Sequence, residues 1–285
     1  MGAAILVIIM LVAWLVSRLS PMIGLPHIHQ LRRFHASLAA DRRRVVVCLG
    51  DSLTQGNASF DYPHVLAGRL EPEGYTVLNA GVNGDLAWNV LQRVDEVTRA
   101  EPAYVVLLVG TNDARACESA WAASQYVRQK KLPQTPDEAF FMDSYRSLLD
   151  VLGTADCTRT LLVTIPPIGE RSGEPISEII ARMNRFIARE AAERDLQCID
   201  LNHAIERMLD GHERQATPAY DAKASQKMII VSILQRYLLG WSWERISRRN
   251  GFRVYTDMVH LNASGAMKLV DLVEHAVREK AAADC

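Results

Sequence analysis

The stretch Val45-Val46-Val47-Cys48-Leu49-Gly50-Asp51-Ser52-Leu53-Thr54-Gln55-Gly56 decides the fold. Val45 to Leu49 are five apolar residues in a row, and a short apolar run bounded by turn residues reads as a buried strand. Gly50 stops the run, and Asp51-Ser52 turn the chain towards a helix. This predicts a hydroxyl at the carboxyl end of a strand, where open α/β sheets place their ligand crevice. A serine in that position is a nucleophile if a histidine can reach it. Otherwise Asp51 and Ser52 only cap a helix.

Working outward, the same pattern recurs. Thr76–Leu78, Tyr104–Val109, Thr160–Ile165 and Gln197–Leu201 read as four further apolar strands. Helical spacing of apolar residues separates them, over residues 62–70, 86–98, 137–152 and 176–194, and a last helix runs from about Ala263 to Glu279. Continuous apolar strands alternating with helices call for a parallel sheet covered on both faces. The fold class is therefore α/β with a five-stranded parallel sheet, joined by right-handed crossovers.

Three more pieces stand at predicted strand ends or loops. Asn79-Ala-Gly-Val-Asn-Gly-Asp85 follows the second strand and Val109-Gly-Thr-Asn-Asp113 the third, while Asp257-Met-Val-His260 precedes the final helix. With Gly50–Leu53, these pieces in this order resemble the blocks of the SGNH (GDSL-type) hydrolase superfamily, across most of residues 45–280. The resemblance implies a three-layer α/β/α sandwich with flavodoxin-like strand order. It departs in two places: the region between Asp200 and Asp257 is longer than the basic fold requires, and an apolar segment precedes the domain.

The resemblance also implies chemistry. A serine hydroxyl is a poor nucleophile until a base takes its proton. His260 is the implied base for Ser52, and Asp257 holds its tautomer and stabilises the imidazolium. Acyl transfer needs donors aimed at the developing oxyanion. Those implied are the backbone N–H of Ser52, the backbone N–H of Gly84 and the side-chain amide of Asn112. Gly84 permits a backbone conformation and a close approach that a Cβ would obstruct. Asp51 orients the Ser52 loop, and Asp85 and Asp113 read as local turn-stabilising carboxylates. No metal-ligand cluster or Gly-rich phosphate loop is evident, so no metal and no cofactor are expected.

Composition sets the bounds. The chain has 285 residues, 49% hydrophobic and 23% charged, with formal net charge −1, so it carries no general nucleic-acid footprint. Its five cysteines are Cys48, Cys117, Cys157, Cys198 and Cys285; they show no metal spacing and no disulfide framework, and read as free thiols. Residues 2–16 are uncharged and almost wholly apolar, and fifteen helical residues span roughly 22 Å against a hydrocarbon core of ~30 Å. The segment lacks the basic residues and the cleavage site of a removable signal. Residues 1–17 are accordingly expected to be an uncleaved membrane anchor, with secretion after cleavage as the alternative. Arg18, Arg32 and Arg33 follow it, which places the catalytic domain on the cytoplasmic side. Residues 18–44 read as a basic connector, and residues 45–285 as the hydrolase domain with a helical insert at about 203–256.

Within that insert, residues 227–243 are strongly apolar but too interrupted to span a membrane. They read either as a helix packed on the domain or as a lid or acyl-chain groove beside the site. The expected function is a serine esterase forming an acyl-enzyme on Ser52. A small-molecule or lipid ester is the expected substrate, with a lipid or long-chain acyl ester favoured. Glycan O-deacetylation and acyl transfer are the alternatives, and a non-catalytic binding module is the alternative of another class. The oligomeric state is not legible.

Overall fold

A computed structural model describes residues 44–154, 158–211 and 216–283, together with Met10, Val16 and Ser17. The expected anchor and connector lie outside the described residues, apart from those three and Arg44. Among the described residues, no helix is long and apolar enough to cross a membrane.

Five strands form one parallel sheet in the order β2-β1-β3-β4-β5. They are β1 (Arg44–Gly50), β2 (Tyr75–Gly81), β3 (Tyr104–Leu108), β4 (Arg159–Val163) and β5 (Gln197–Ile199). All four pairings are parallel, and this is the flavodoxin-like order. The two-residue period of a strand explains why β1 is apolar throughout. Val45, Val47 and Leu49 face one layer, where they join Phe141, Tyr145 and Phe186. Val46 and Cys48 face the other, with Leu66, Leu269 and Val273. Helices α7 (Glu138–Leu152) and α8 (Pro175–Glu193) cover the first face. Helices α2 (Tyr62–Leu70), α9 (Leu201–Leu209) and α12 (Ala263–Ala283) cover the second. Each fully buried Val, Leu or Phe contributes about 1.5–3 kcal/mol on area grounds, so the two layers supply most of the driving force.

Several helices start where a short polar side chain satisfies an otherwise orphaned N–H. Asp61, Asp137 and Asp200 accept from the backbone N–H three residues on, at 3.1, 2.8 and 3.0 Å. The cap at Asp200 ends β5 at Ile199, two residues before the expected Leu201.

Two other boundaries differ from expectation. Residues 86–98 form two short helices, α3 (Ala87–Leu91) and α4 (Val94–Thr98). The break falls at Arg93, whose guanidinium turns inward to Gly50 O and Ala80 O, at 2.9 and 2.8 Å. Residues 111–130, unassigned from sequence, form α5 (Thr111–Glu118) and α6 (Ala120–Lys130). The insert folds as α10 (Ala222–Tyr237) and α11 (Trp243–Arg249), packed on the domain.

Candidate active site

The site lies at the carboxyl ends of β1, β2 and β3. β1 ends at Gly50, where a Cβ would lie 2.2 Å from Leu108 O on the neighbouring strand, so only glycine fits. The chain then turns into α1 (Ser52–Gln55), capped by Asp51, whose carboxylate accepts from Leu53 N at 2.9 Å. Ser52 therefore occupies the first position of a helix rather than a free turn. Its side chain is nearly buried, 7% exposed.

His260 reaches it from the far end of the chain. Its Nε2 is 2.9 Å from Ser52 Oγ, and its Nδ1 is 2.9 Å from Asp257 Oδ2. In the tautomer with its proton on Nδ1, the ring donates to Asp257, and Nε2 keeps a lone pair that can accept from the Ser52 hydroxyl. Asp257 also accepts from the backbone N–H groups of Val259 and His260, at 3.1 and 2.9 Å. These bonds bend the loop back on itself, and Met258 takes the left-handed conformation at φ 77°.

The loop is anchored from behind by Glu170, which the sequence reading did not single out. Its buried carboxylate accepts from the backbone N–H groups of Arg253, Val254 and Tyr255, at 2.8, 2.7 and 3.2 Å. Tyr255 Oη donates to Pro167 O, and Gly169 N to Met258 O. The segment after β4 thus carries the Asp257–His260 loop.

Gly84 and Asn112 bound the other side. Gly84 has φ +73°, and a Cβ there would meet Lys130 Cε at 2.8 Å. Asn112 sits in the first turn of α5, not in a turn after the third strand as the sequence suggests. Its Nδ2 donates to Asp85 O at 2.9 Å and, weakly, to Asp51 Oδ2 at 3.4 Å. Its Oδ1 accepts from Tyr126 Oη at 2.7 Å, and that phenol accepts from Arg115 Nη1 at 2.9 Å. Arg115 and Tyr126 escaped the sequence reading because both lie on helices that it did not assign.

Three carboxylates lie in this region, and they differ. Asp85 pairs with Arg93 Nε and Lys130 Nζ, each at 2.9 Å, so it is an ion-pair hub and more than a turn former. Burial pushes Asp51 up to about 7. Burial also pushes Asp113, which accepts from Ala87 N at 3.2 Å, up to about 8. Among the described residues, no group of three or more His, Cys, Asp or Glu side chains could hold a metal ion.

A hydroxyl, an imidazole and a carboxylate in hydrogen-bonded series, at the carboxyl edge of a parallel sheet, make up the class of arrangement found in serine hydrolases. The GDSL-like Lipase/Acylhydrolase family model matches residues 48–268. The chain belongs to that family, and with it to the serine hydrolases that act on ester bonds.

Solved structures agree on the fold. An acetylxylan esterase, Axe2 from Geobacillus stearothermophilus, is similar at TM-score 0.55 and 17% identity, over 81% of this chain and 92% of that one. An acetyl xylan esterase, AlAXEase, is similar at 0.54 and 21%, over 82% and 99%. A GDSL-like lipase from Bacteroides thetaiotaomicron is similar at 0.53 and 16%, over 89% and 99%. No curated protein sequence matches the chain.

Proposed function

We propose that the chain is a serine esterase that works through a covalent acyl-enzyme on Ser52. The observation that carries this reading is the series Ser52 Oγ, His260 and Asp257, with both links at 2.9 Å. Ser52 Oγ attacks the ester carbonyl while its proton passes to His260 Nε2, and Asp257 stabilises the imidazolium that forms. The tetrahedral oxyanion meets the backbone N–H groups of Ser52 and Gly84 and the amide of Asn112. Asn112 contributes the hydrogen that now points at Asp51 Oδ2, and at 3.4 Å little is lost when it turns away. The tetrahedral intermediate collapses, and His260 returns the proton to the leaving alcohol. Water, activated by the same imidazole, then releases the acid.

For the substrate we favour a lipid or long-chain acyl ester. The position of α10 supports this, since the helix ends against the loop after Ser52, where Tyr237 Oη donates to Asn57 O at 2.7 Å. A second reading, removal of acetyl groups from a glycan, is favoured by the two acetylxylan esterases of similar fold. Acyl transfer would use the same acyl-enzyme with another acceptor. Hydrolysis of p-nitrophenyl esters from acetyl to palmitoyl separates the readings. Rates that peak at long chains support the lipid ester, and a peak at acetyl supports deacetylation. No hydrolysis of any chain length, with no labelling by a fluorophosphonate, would leave a non-catalytic module.

The apolar residues 2–17 carry the reading of an N-terminal anchor with the domain on the cytoplasmic side. The arginines after it and the missing signal-cleavage pattern support this. Resistance of the full chain to carbonate and high-salt washing of membranes tests it. A secreted protein beginning after residue 17 refutes it.

A further inference from the structure

Helix α10 departs from the usual rule: it buries Ile229 and packs Met228 and Ile233 on the core, yet leaves other apolar residues outside. A surface helix ordinarily buries its apolar stripe and shows polar residues to water. Here Ser225 and Ser232 are fully buried and Gln235 nearly so, while Ile230, Val231 and Leu234 are 51%, 38% and 40% exposed. Leu239, just beyond the helix, is 61% exposed. Among the described residues from Arg44 onward, these four are the only exposed large hydrophobic side chains. Single exposed leucines need no explanation, but a cluster marks an interaction surface.

The charge around the cluster says what covers it. Residues 222–249 hold six basic side chains, Lys223, Lys227, Arg236, Arg245, Arg248 and Arg249, and one acid, Glu244. The whole chain sums to −1, so this segment is a positive island on a near-neutral protein. Lys223 and Lys227 share the outward stripe of α10 with Ile230 and Leu234, by the four-residue spacing of a helix. At the other end Trp241 lies under two guanidinium groups, Arg245 at 4.1 Å and Arg249 at 5.2 Å. Aliphatic side chains flanked by Lys, Arg and Trp are the composition of an interfacial helix on an anionic bilayer. A second copy of the same face would bring these like charges together, which disfavours self-association.

We infer that the face formed by α10 and α11 docks on anionic lipid headgroups, with Ile230, Val231, Leu234 and Leu239 entering the acyl boundary. This surface stands on its own side chains and needs no catalytic assignment. Because Tyr237 at the end of α10 holds Asn57, five residues beyond Ser52, docking would turn the rim of the site towards the lipid. Only that last step rests on the acyl-enzyme reading.

The test is hydrogen exchange of the full chain with and without vesicles. With phosphatidylglycerol vesicles, peptides spanning residues 222–243 should exchange ~tenfold more slowly. With phosphatidylcholine vesicles, or with phosphatidylglycerol in 1 M salt, the protection should be largely lost, because screening removes the attraction. The exposed triple variant Ile230→Ser/Leu234→Ser/Leu239→Ser and the pair Arg248→Glu/Arg249→Glu should each lose it. Both should still hydrolyse soluble p-nitrophenyl acetate at the wild-type rate, which shows that they fold. Protection confined to residues before Arg44, or equal protection by neutral vesicles, overturns the proposal. So does slowing without vesicles that grows with protein concentration, which would mean a second copy. A wild-type chain inert towards every ester but protected at 222–243 would sink the acyl-enzyme reading and leave the docking face standing.

Discussion

Ser52 and His260 lie 208 residues apart in the chain, yet His260 Nε2 is 2.9 Å from Ser52 Oγ. Between them run four of the five strands, β2 to β5, and their crossovers, and the fold closes that distance. Ser52→Ala should abolish both ester hydrolysis and fluorophosphonate labelling, with circular dichroism unchanged. His260→Ala should cost on the order of 10³-fold or more in kcat, and Asp257→Ala somewhat less. The double variant should be little worse than His260→Ala alone, because Asp257 acts only through the imidazole that it orients. Losses that multiply in single-turnover measurements would show that the two residues act separately.

Asn112 is aimed by a chain of donors, from Arg115 Nη1 to Tyr126 Oη to Asn112 Oδ1. Removing the amide in Asn112→Ala should lower kcat by roughly 10²–10³ with little change in KM, the usual effect of deleting one oxyanion donor. Tyr126→Phe keeps the ring but drops the bond to Oδ1, so the amide is held only through Nδ2 and is aimed less well. It should lower kcat by about fivefold while KM holds, since one lost hydrogen bond is worth ~1 kcal/mol. A KM effect in either variant, with kcat intact, would make Asn112 a substrate contact.

Most of this site is legible in the sequence, for a physical reason. Strand ends and tight turns impose local demands that only certain residues meet, so Gly50, Ser52, Gly84 and the Asp257–His260 loop stand out. The sandwich is legible too, because Val45–Leu49 and Tyr104–Leu108 are apolar on both faces. The supporting residues are not. Arg93, Arg115, Tyr126, Lys130 and Glu170 meet their partners through tertiary contacts across 8 to 105 residues, and no local spacing reveals that. Arg93 even breaks a helix that the apolar pattern of residues 86–98 makes continuous. The orientation of α10 is hidden for the opposite reason: its apolar residues suggest burial, and the fold buries Ile229 but turns Ile230, Val231 and Leu234 outward.

Glu170 is one such support. Its buried carboxylate accepts from three consecutive backbone N–H groups ahead of Asp257. Glu170→Ala would strand all three, and each buried donor left without a partner costs about 1–3 kcal/mol. Denaturant unfolding should show a loss of several kcal/mol, and kcat should fall as the Asp257–His260 loop shifts. Glu170→Gln keeps an acceptor and should recover much of the stability. Wild-type unfolding of Glu170→Ala would mean that the loop is held elsewhere.

Asp113 supplies a pH signature. Its carboxyl has an ordinary value of 3.8, and burial raises it to about 8 in the folded chain. Between those two values the folded state keeps a proton that the unfolded state has lost. Stability therefore falls as pH rises across that window. The full contribution is present below about pH 4 and lost by pH 8–9. Asp51, raised to about 7, adds a decline of the same sign that ends lower. Asp113→Asn mimics the protonated carboxyl and can still accept from Ala87 N. The variant should match wild type in melting temperature near pH 4 and exceed it by several degrees at pH 9, at ~2–4 °C per kcal/mol for a chain of this size. Thermal scans from pH 4 to 9 read the difference directly. A constant offset across that range would show that Asp113 does not titrate in the window. A variant less stable at pH 9 would show that its ionised form is favoured by the fold, against the burial argument.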